Sequence, residues 1–83
     1  MPQHENITGK LDSDPASEAK VVEEIDRALH FLRAEAYEAT YGDDEAGDLA
    51  IKLENGDAQQ TITIEAHAWP DDIFDRLLAE LKI

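Results

Sequence analysis

The chain has 83 residues, of which 42% are hydrophobic and none is cysteine. This length allows a single domain with one hydrophobic core, and the lack of cysteine excludes disulfides, thiolate metal sites and a cysteine nucleophile. Twenty acidic residues against seven basic ones give a net charge of −13. Such a charge disfavours direct binding to nucleic acids or anionic membranes and favours a basic protein as partner.

The N-terminal segment is polar and has no clear hydrophobic period. We predict that residues 1–13 form a flexible arm ahead of one domain over residues 14–83, and the sequence leaves open whether residues 5–11 add an edge strand. The segment lacks the basic, apolar and small-residue order of a secretory signal, and no apolar run approaches the roughly 20 residues that span a bilayer. The expected location is therefore the cytoplasm.

A long first helix is predicted from Asp14-Pro15 to about Thr40. Asp accepts hydrogen bonds from the free N–H groups of a first helical turn, and Pro suits the first helical position. Gly42 follows as a typical stop signal. Hydrophobic residues recur every three or four positions along one face, at Val22, Ile25, Leu29, Leu32 and Ala36.

A β-hairpin is predicted next. Large aliphatic residues alternate with polar ones over 49–54 and again over 61–64, and Asn55-Gly56 between them favours a type I′ turn. With these two residues as the whole turn, Leu53 pairs with Ala58 and Leu49 with Ile62. All the large aliphatic side chains then share one face of the hairpin.

The last predicted element is a helix from Pro70 to Lys82, because Trp69-Pro70 ends the preceding strand. The fold class is therefore α+β: a small two-layer α-β-β-α domain with both helices packed on one face of an antiparallel β-hairpin. The other face of the hairpin and its strand edges are left to solvent, to a partner or to a second copy in a homodimer.

Residues for catalysis or metal binding lack the spacing that such chemistry requires. Asp43, Glu45 and Glu54 occupy the first, third and twelfth positions of a calcium loop, but Asp48 stands at the sixth position, where the sharp turn needs glycine. The histidines are far apart in the sequence, and no nucleophile or phosphate-binding motif is present. We therefore predict a protein that is not an enzyme and that uses no cofactor and no metal.

The charge and the missing catalytic motifs favour a small acidic inhibitor that covers the basic nucleic-acid-binding surface of a larger enzyme or complex. Its carboxylates would mimic nucleic-acid phosphates. Small acidic phage inhibitors of defence nucleases, anti-CRISPR proteins among them, are similar in size and charge, although no motif is shared. The predicted partner-binding residues are an aromatic anchor and a set of acids: Phe31, Glu23, Glu24, Asp43, Asp44, Glu45, Asp48, Asp71, Asp72 and Asp75.

Two other interpretations stay open at the level of the sequence. The chain is also consistent with an immunity protein or antitoxin that neutralises a basic toxin by the same electrostatic attraction. Alternatively, its acidity reflects adaptation to a salt-rich cytoplasm and serves no inhibitory role.

Overall fold

The computed structural model describes residues 6–11, 15–65 and 72–81, and in these ranges it shows a mixed four-stranded sheet with two helices. The α+β class is therefore confirmed. The element order is β-α-β-β-β-α, where the sequence predicted α-β-β-α. The elements are β1 (Ile7–Lys10), α1 (Pro15–Phe31), β2 (Glu38–Asp43), β3 (Leu49–Asn55), β4 (Ala58–Ile64) and α2 (Ile73–Glu80).

The strands follow the order β1-β2-β3-β4 across the sheet. β1 runs parallel to β2, so the chain must return along the sheet between them, and α1 makes this connection. β2 with β3 and β3 with β4 are antiparallel neighbours joined by short loops. The edges of the sheet are therefore β1 and β4.

One face of the sheet forms the core together with the inner sides of both helices. Ile7, Ala39 and Leu53 lie in one row across β1, β2 and β3, and all three are buried. Because side chains alternate along a strand, the other face is open to solvent. The core consists of Ile7, Leu11, Val21, Ile25, Ala28, Leu29, Ala34, Ala39, Tyr41, Leu49, Ile51, Leu53, Ile62, Ile64, Ile73 and Leu77.

The predicted first helix is correct at its start and wrong at its end. Pro15 is the first helical residue, as predicted, whereas Asp14 lies outside the described residues. α1 ends at Phe31, and the segment predicted to continue it forms the strand Glu38–Asp43. In this strand alternate residues, Ala39 and Tyr41, are buried, so a period of two replaces the helical period.

A Schellman motif ends α1. The Arg33 N–H donates to the His30 carbonyl at 3.1 Å, and the Ala34 N–H donates to the Leu29 carbonyl at 2.7 Å. Ala34 and Leu29 are both buried, which supplies the hydrophobic contact typical of this motif. The residue in the left-handed conformation is Arg33, with φ of 56°, although glycine is the usual residue there.

We expect Arg33→Gly to raise the free energy of unfolding by about 0.5–1 kcal/mol, because glycine adopts positive φ without the steric cost that a side chain imposes. Urea denaturation followed by circular dichroism measures the change. Arg33→Ala is the control: it removes the same charge and keeps the strained conformation, so its stability should stay close to that of the unsubstituted protein. Equal stability of the two variants would show that strain at Arg33 is negligible.

The hairpin forms as predicted, but its register is shifted by two residues. Asn55 pairs with Ala58, so the two turn residues are Gly56 and Asp57. Gly56 has φ of 63°, which fits a type II′ turn with glycine at its first central position. A shift of two keeps every side chain on its predicted face and places Ile51 directly opposite Ile62.

The ends of the chain differ from the prediction in two respects. Ile7–Lys10 forms β1 within the predicted arm, which settles the open question of an edge strand. The last helix covers Ile73–Glu80, shorter than the predicted range 70–82. Trp69, Pro70 and Lys82 lie outside the described residues.

Candidate protein-binding site

The connection between β2 and β3 carries four of the predicted acids. We call residues 43–48 the acidic loop; it contains Asp43, Asp44, Glu45 and Asp48. Asp43 and Glu45 are exposed, whereas Asp44 and Asp48 are half-buried. The sheet fixes both ends of the loop, because Asp43 and Leu49 are cross-strand partners.

Asp44 holds the acidic loop in one conformation. Its Oδ1 accepts hydrogen bonds from the backbone N–H groups of Ala46 and Asp48, both at 2.9 Å. The Asp44 N–H donates to the Asp48 carbonyl at 2.9 Å, and the Gly47 N–H donates to the Asp44 carbonyl at 3.0 Å. Asp44 therefore shapes the loop, and Asp43 and Glu45 on either side of it are exposed.

Glu24 differs from the other predicted acids because it is buried, with only 3% of its surface exposed. Its Oε2 accepts a hydrogen bond from the Arg27 guanidinium at 2.9 Å and lies 3.6 Å from the Lys20 ammonium. The predicted place of Glu24 on an exposed acidic surface is therefore wrong: its carboxylate is neutralised inside the fold.

Phe31 is exposed over 67% of its surface, as expected for an aromatic anchor. It lies at the end of α1, where its ring meets the Phe74 ring of α2 edge to face, with centroids 5.8 Å apart. The Arg27 guanidinium lies 4.6 Å above the centre of the Phe74 ring, on the same seam between the helices. Phe31 therefore packs against Phe74 on one side and exposes most of its surface to solvent.

The remaining predicted acids lie on the two helices. Glu23 of α1, Asp72 before α2 and Asp75 in α2 are exposed, and Asp71 lies outside the described residues. The exposed acids of the predicted set thus come from three parts of the fold: the middle of α1, the acidic loop and the start of α2.

Two basic side chains, Lys52 and Arg76, form ion pairs with acids outside the predicted set. Lys52 lies 3.1 Å from Glu54, and Arg76 pairs with Glu65 at 2.8 Å and with Glu80 at 2.6 Å. The hydrogen bonds that the Arg76 guanidinium donates to the Glu65 and Glu80 carboxylates raise the pKa of Arg76 above its usual range. In these ion pairs, neighbouring carboxylates offset the positive charges of Lys52 and Arg76.

Among the described residues, Tyr41 also has a perturbed pKa. Burial raises the pKa of its phenol, and the negative charge of Glu18 raises it further. Tyr41 therefore stays neutral beside the core and takes no part in the acidic surface at physiological pH.

The open face of the sheet contrasts with the acidic surface. Its exposed charges are Lys10, Lys52, Glu38 and Glu54, which sum to zero, and four threonines lie between them. In a protein with a net charge of −13, this face is locally neutral. Among the described residues, the excess of carboxylates therefore lies on the helices and loops.

Within the described ranges, no group of three His, Asp or Glu side chains is arranged to hold a metal ion. No helix in the same part of the chain is long and apolar enough to cross a membrane.

Comparison with models of protein families, with curated proteins and with solved structures gives no match. The surface itself is therefore the basis for a functional proposal.

Proposed function

We propose that this protein is an inhibitor that binds the basic nucleic-acid-binding surface of a larger enzyme or complex and keeps nucleic acid out of it. The observation that carries the proposal is the acidic loop, where Asp44 fixes the backbone and Asp43 and Glu45 are exposed, in a chain with a net charge of −13. Binding needs no catalytic group on the inhibitor.

Electrostatic attraction accounts for the specificity of such an inhibitor for basic surfaces. Opposite charges steer the encounter and raise the association rate by orders of magnitude at low salt. Binding must then weaken as salt rises, because the Debye length falls to about 8 Å at physiological ionic strength. A nucleic-acid groove is a suitable target because its Lys and Arg side chains are already arranged to meet phosphates.

Preorganisation adds to the attraction. A loop that is already ordered loses little conformational entropy when it binds, so more of the interaction energy appears as affinity. Phe31 offers a separate apolar contact at the end of α1, because aromatic side chains that become buried in an interface are typical hot spots. Its contact with Phe74 holds the ring in place before binding.

The test is capture of nucleic-acid-binding proteins at low salt, followed by measurement of nucleic-acid binding by each captured protein. A loop variant, Asp43→Asn with Glu45→Gln and Asp48→Asn, retains Asp44 and hence the loop conformation. We expect it to bind the captured protein at least about tenfold more weakly, which corresponds to about 1.4 kcal/mol. Competition with labelled nucleic acid measures both the affinity and the inhibition.

A matched control removes the same number of acids elsewhere on the surface. Glu35→Gln with Glu38→Gln and Asp57→Asn changes exposed acids outside the acidic loop by the same charge. We expect this control to lose less than threefold in affinity. Equal losses in the two triple variants would mean that net charge acts without a defined site, and simultaneous binding of inhibitor and nucleic acid would contradict the proposal itself.

A further inference from the structure

The edge strand β4 is unusual for this protein because it has no charged residue. One third of the chain is charged, yet Ala58–Ile64 reads AQQTITI. Soluble proteins usually protect an edge strand with charged side chains, because its free backbone groups otherwise pair with another strand. β4 lacks this protection along its whole length.

The hairpin register identifies which backbone groups of β4 point away from the sheet. Asn55 and Ala58 flank a two-residue turn and exchange hydrogen bonds, so every second residue from Ala58 bonds to β3. Gln59, Thr61 and Thr63 consequently direct their N–H and C=O groups outwards. The Arg76 guanidinium confirms this direction, because its Nη2 donates to the Thr63 carbonyl at 3.0 Å.

Arg76 limits how far a new strand can pair with β4. Glu65 and Glu80 hold its guanidinium against the Thr63 carbonyl, so the outward acceptor at this end is taken. Gln59 and Thr61 lie nearer the turn and are exposed. The edge therefore offers a short pairing segment that ends at Arg76.

We propose that β4 binds β4 of a second copy of this chain, antiparallel about a two-fold axis at Gln60, to form one continuous sheet across the two copies. In this register Gln59 of each copy exchanges hydrogen bonds with Thr61 of the other, and the Thr63 carbonyls stay with Arg76. A register centred on Thr61 would instead require the Thr63 carbonyls. Arg76 thus excludes the register centred on Thr61.

Charge favours a second copy as the occupant. Two molecules with a net charge of −13 repel each other, so their contact must avoid the acidic surfaces. The pairing segments are uncharged, and the adjoining open face carries balanced charges. At each end of the paired segment, Asp57 of one copy lies opposite Thr63 of the other copy. Arg76 of that other copy contacts Thr63 and supplies a positive charge there.

The salt dependence of self-association separates this inference from the proposed function. Screening reduces the repulsion between two acidic molecules, so the dimer should strengthen as salt rises, whereas binding to a basic partner should weaken. Analytical ultracentrifugation of the purified protein at low and high salt measures the dimer without any partner. Dimerisation through β4 can therefore be disproved without affecting the proposed binding to a basic partner, and the reverse also holds.

Charge substitutions at the paired positions test the register. In the double variant Gln59→Glu, Thr61→Glu, two glutamates face each other on each side of the two-fold axis. We expect the dissociation constant of the dimer to rise about tenfold or more. Gln59→Lys with Thr61→Glu places opposite charges there and should restore the dimer. Thr8→Glu with Thr40→Glu is the control, because it adds the same charge on the same face away from β4.

Amide hydrogen exchange supplies a second measurement at the site. The N–H groups of Gln59 and Thr61 should become protected as the protein concentration rises, since both point away from β3 in the described part of the monomer and are bonded in the dimer. A monomer at all concentrations and salt conditions would overturn the inference. So would a dimer that responds equally to the two β4 variants, or edge amides that gain protection only when a different protein is added.

Discussion

Gly9→Ala is expected to destabilise the fold more than alanine at any other glycine of the described residues. A Cβ atom at Gly9 would lie 2.2 Å from the Tyr41 backbone oxygen and 2.8 Å from two atoms of its ring. The backbone oxygen cannot move without breaking the pairing of β1 with β2, in which Gly9 and Tyr41 are direct neighbours. Tyr41 is itself buried, so its ring has little room to shift.

The expected loss is about 3 kcal/mol or more, because backbone strain and overpacking combine at one site. For a domain of this size, such a loss is a large part of the whole free energy of unfolding. Urea denaturation and the thermal midpoint measure it. Gly42→Ala is the matched control on the same pair of strands: its Cβ would meet the nearest heavy atom, the Lys10 oxygen, at an ordinary 3.6 Å. A Gly9→Ala protein as stable as this control would contradict the packing described for β1.

Hydrophobic periodicity predicts most of the core but not every boundary. The alternation over β3 and β4 predicts both strands and their buried face, since each strand has one buried side. β2 was missed because its small residues also fit a helical stripe. Ala39 continues the spacing of Leu29 and Leu32, and the residue that stops α1 is Arg33, which gives no stop signal.

The register of the hairpin shows a different limit. Asn55-Gly56 and Gly56-Asp57 are both acceptable turns, and both keep Leu49 and Ile62 on the buried face. Direct pairing of the large aliphatic residues favours the observed register. That choice reverses which residues of β4 point outwards, and the proposed dimer depends on it.

The acids predicted for the surface are exposed only in part. The exposure of Phe31 agrees with its prediction, because a residue opposite the helical stripe faces away from the sheet. Glu24 is buried although it shares that side of the helical wheel, since the position of α2 beside α1 is a tertiary feature that a helical wheel does not contain. Asp44 was correctly assigned to a loop, but its role in holding that loop follows only from its hydrogen bonds.

The burial of Glu24 leads to the second large expected effect. Arg27→Ala should lower the free energy of unfolding by about 2–3 kcal/mol. The Glu24 side chain is 4% exposed, whereas that of Arg27 is 55% exposed. Removing Arg27 would therefore leave a buried carboxylate with only the more distant Lys20, at 3.6 Å, and would also remove the cation–π contact with Phe74.

A second substitution separates these causes. Glu24→Gln combined with Arg27→Ala removes the buried charge, so this double variant should recover part of the loss, whereas loss of packing on Phe74 would persist. Lys52→Ala is the matched control for an exposed pair: Lys52 and Glu54 are each about half exposed, and the cost should stay below about 1 kcal/mol. Thermal and urea denaturation of the three variants would measure how much of the loss comes from the buried charge of Glu24 and how much from the lost contact with Phe74. If Arg27→Ala costs no more than Lys52→Ala, Glu24 does not depend on Arg27, and the seam between the helices is held by its apolar contacts alone.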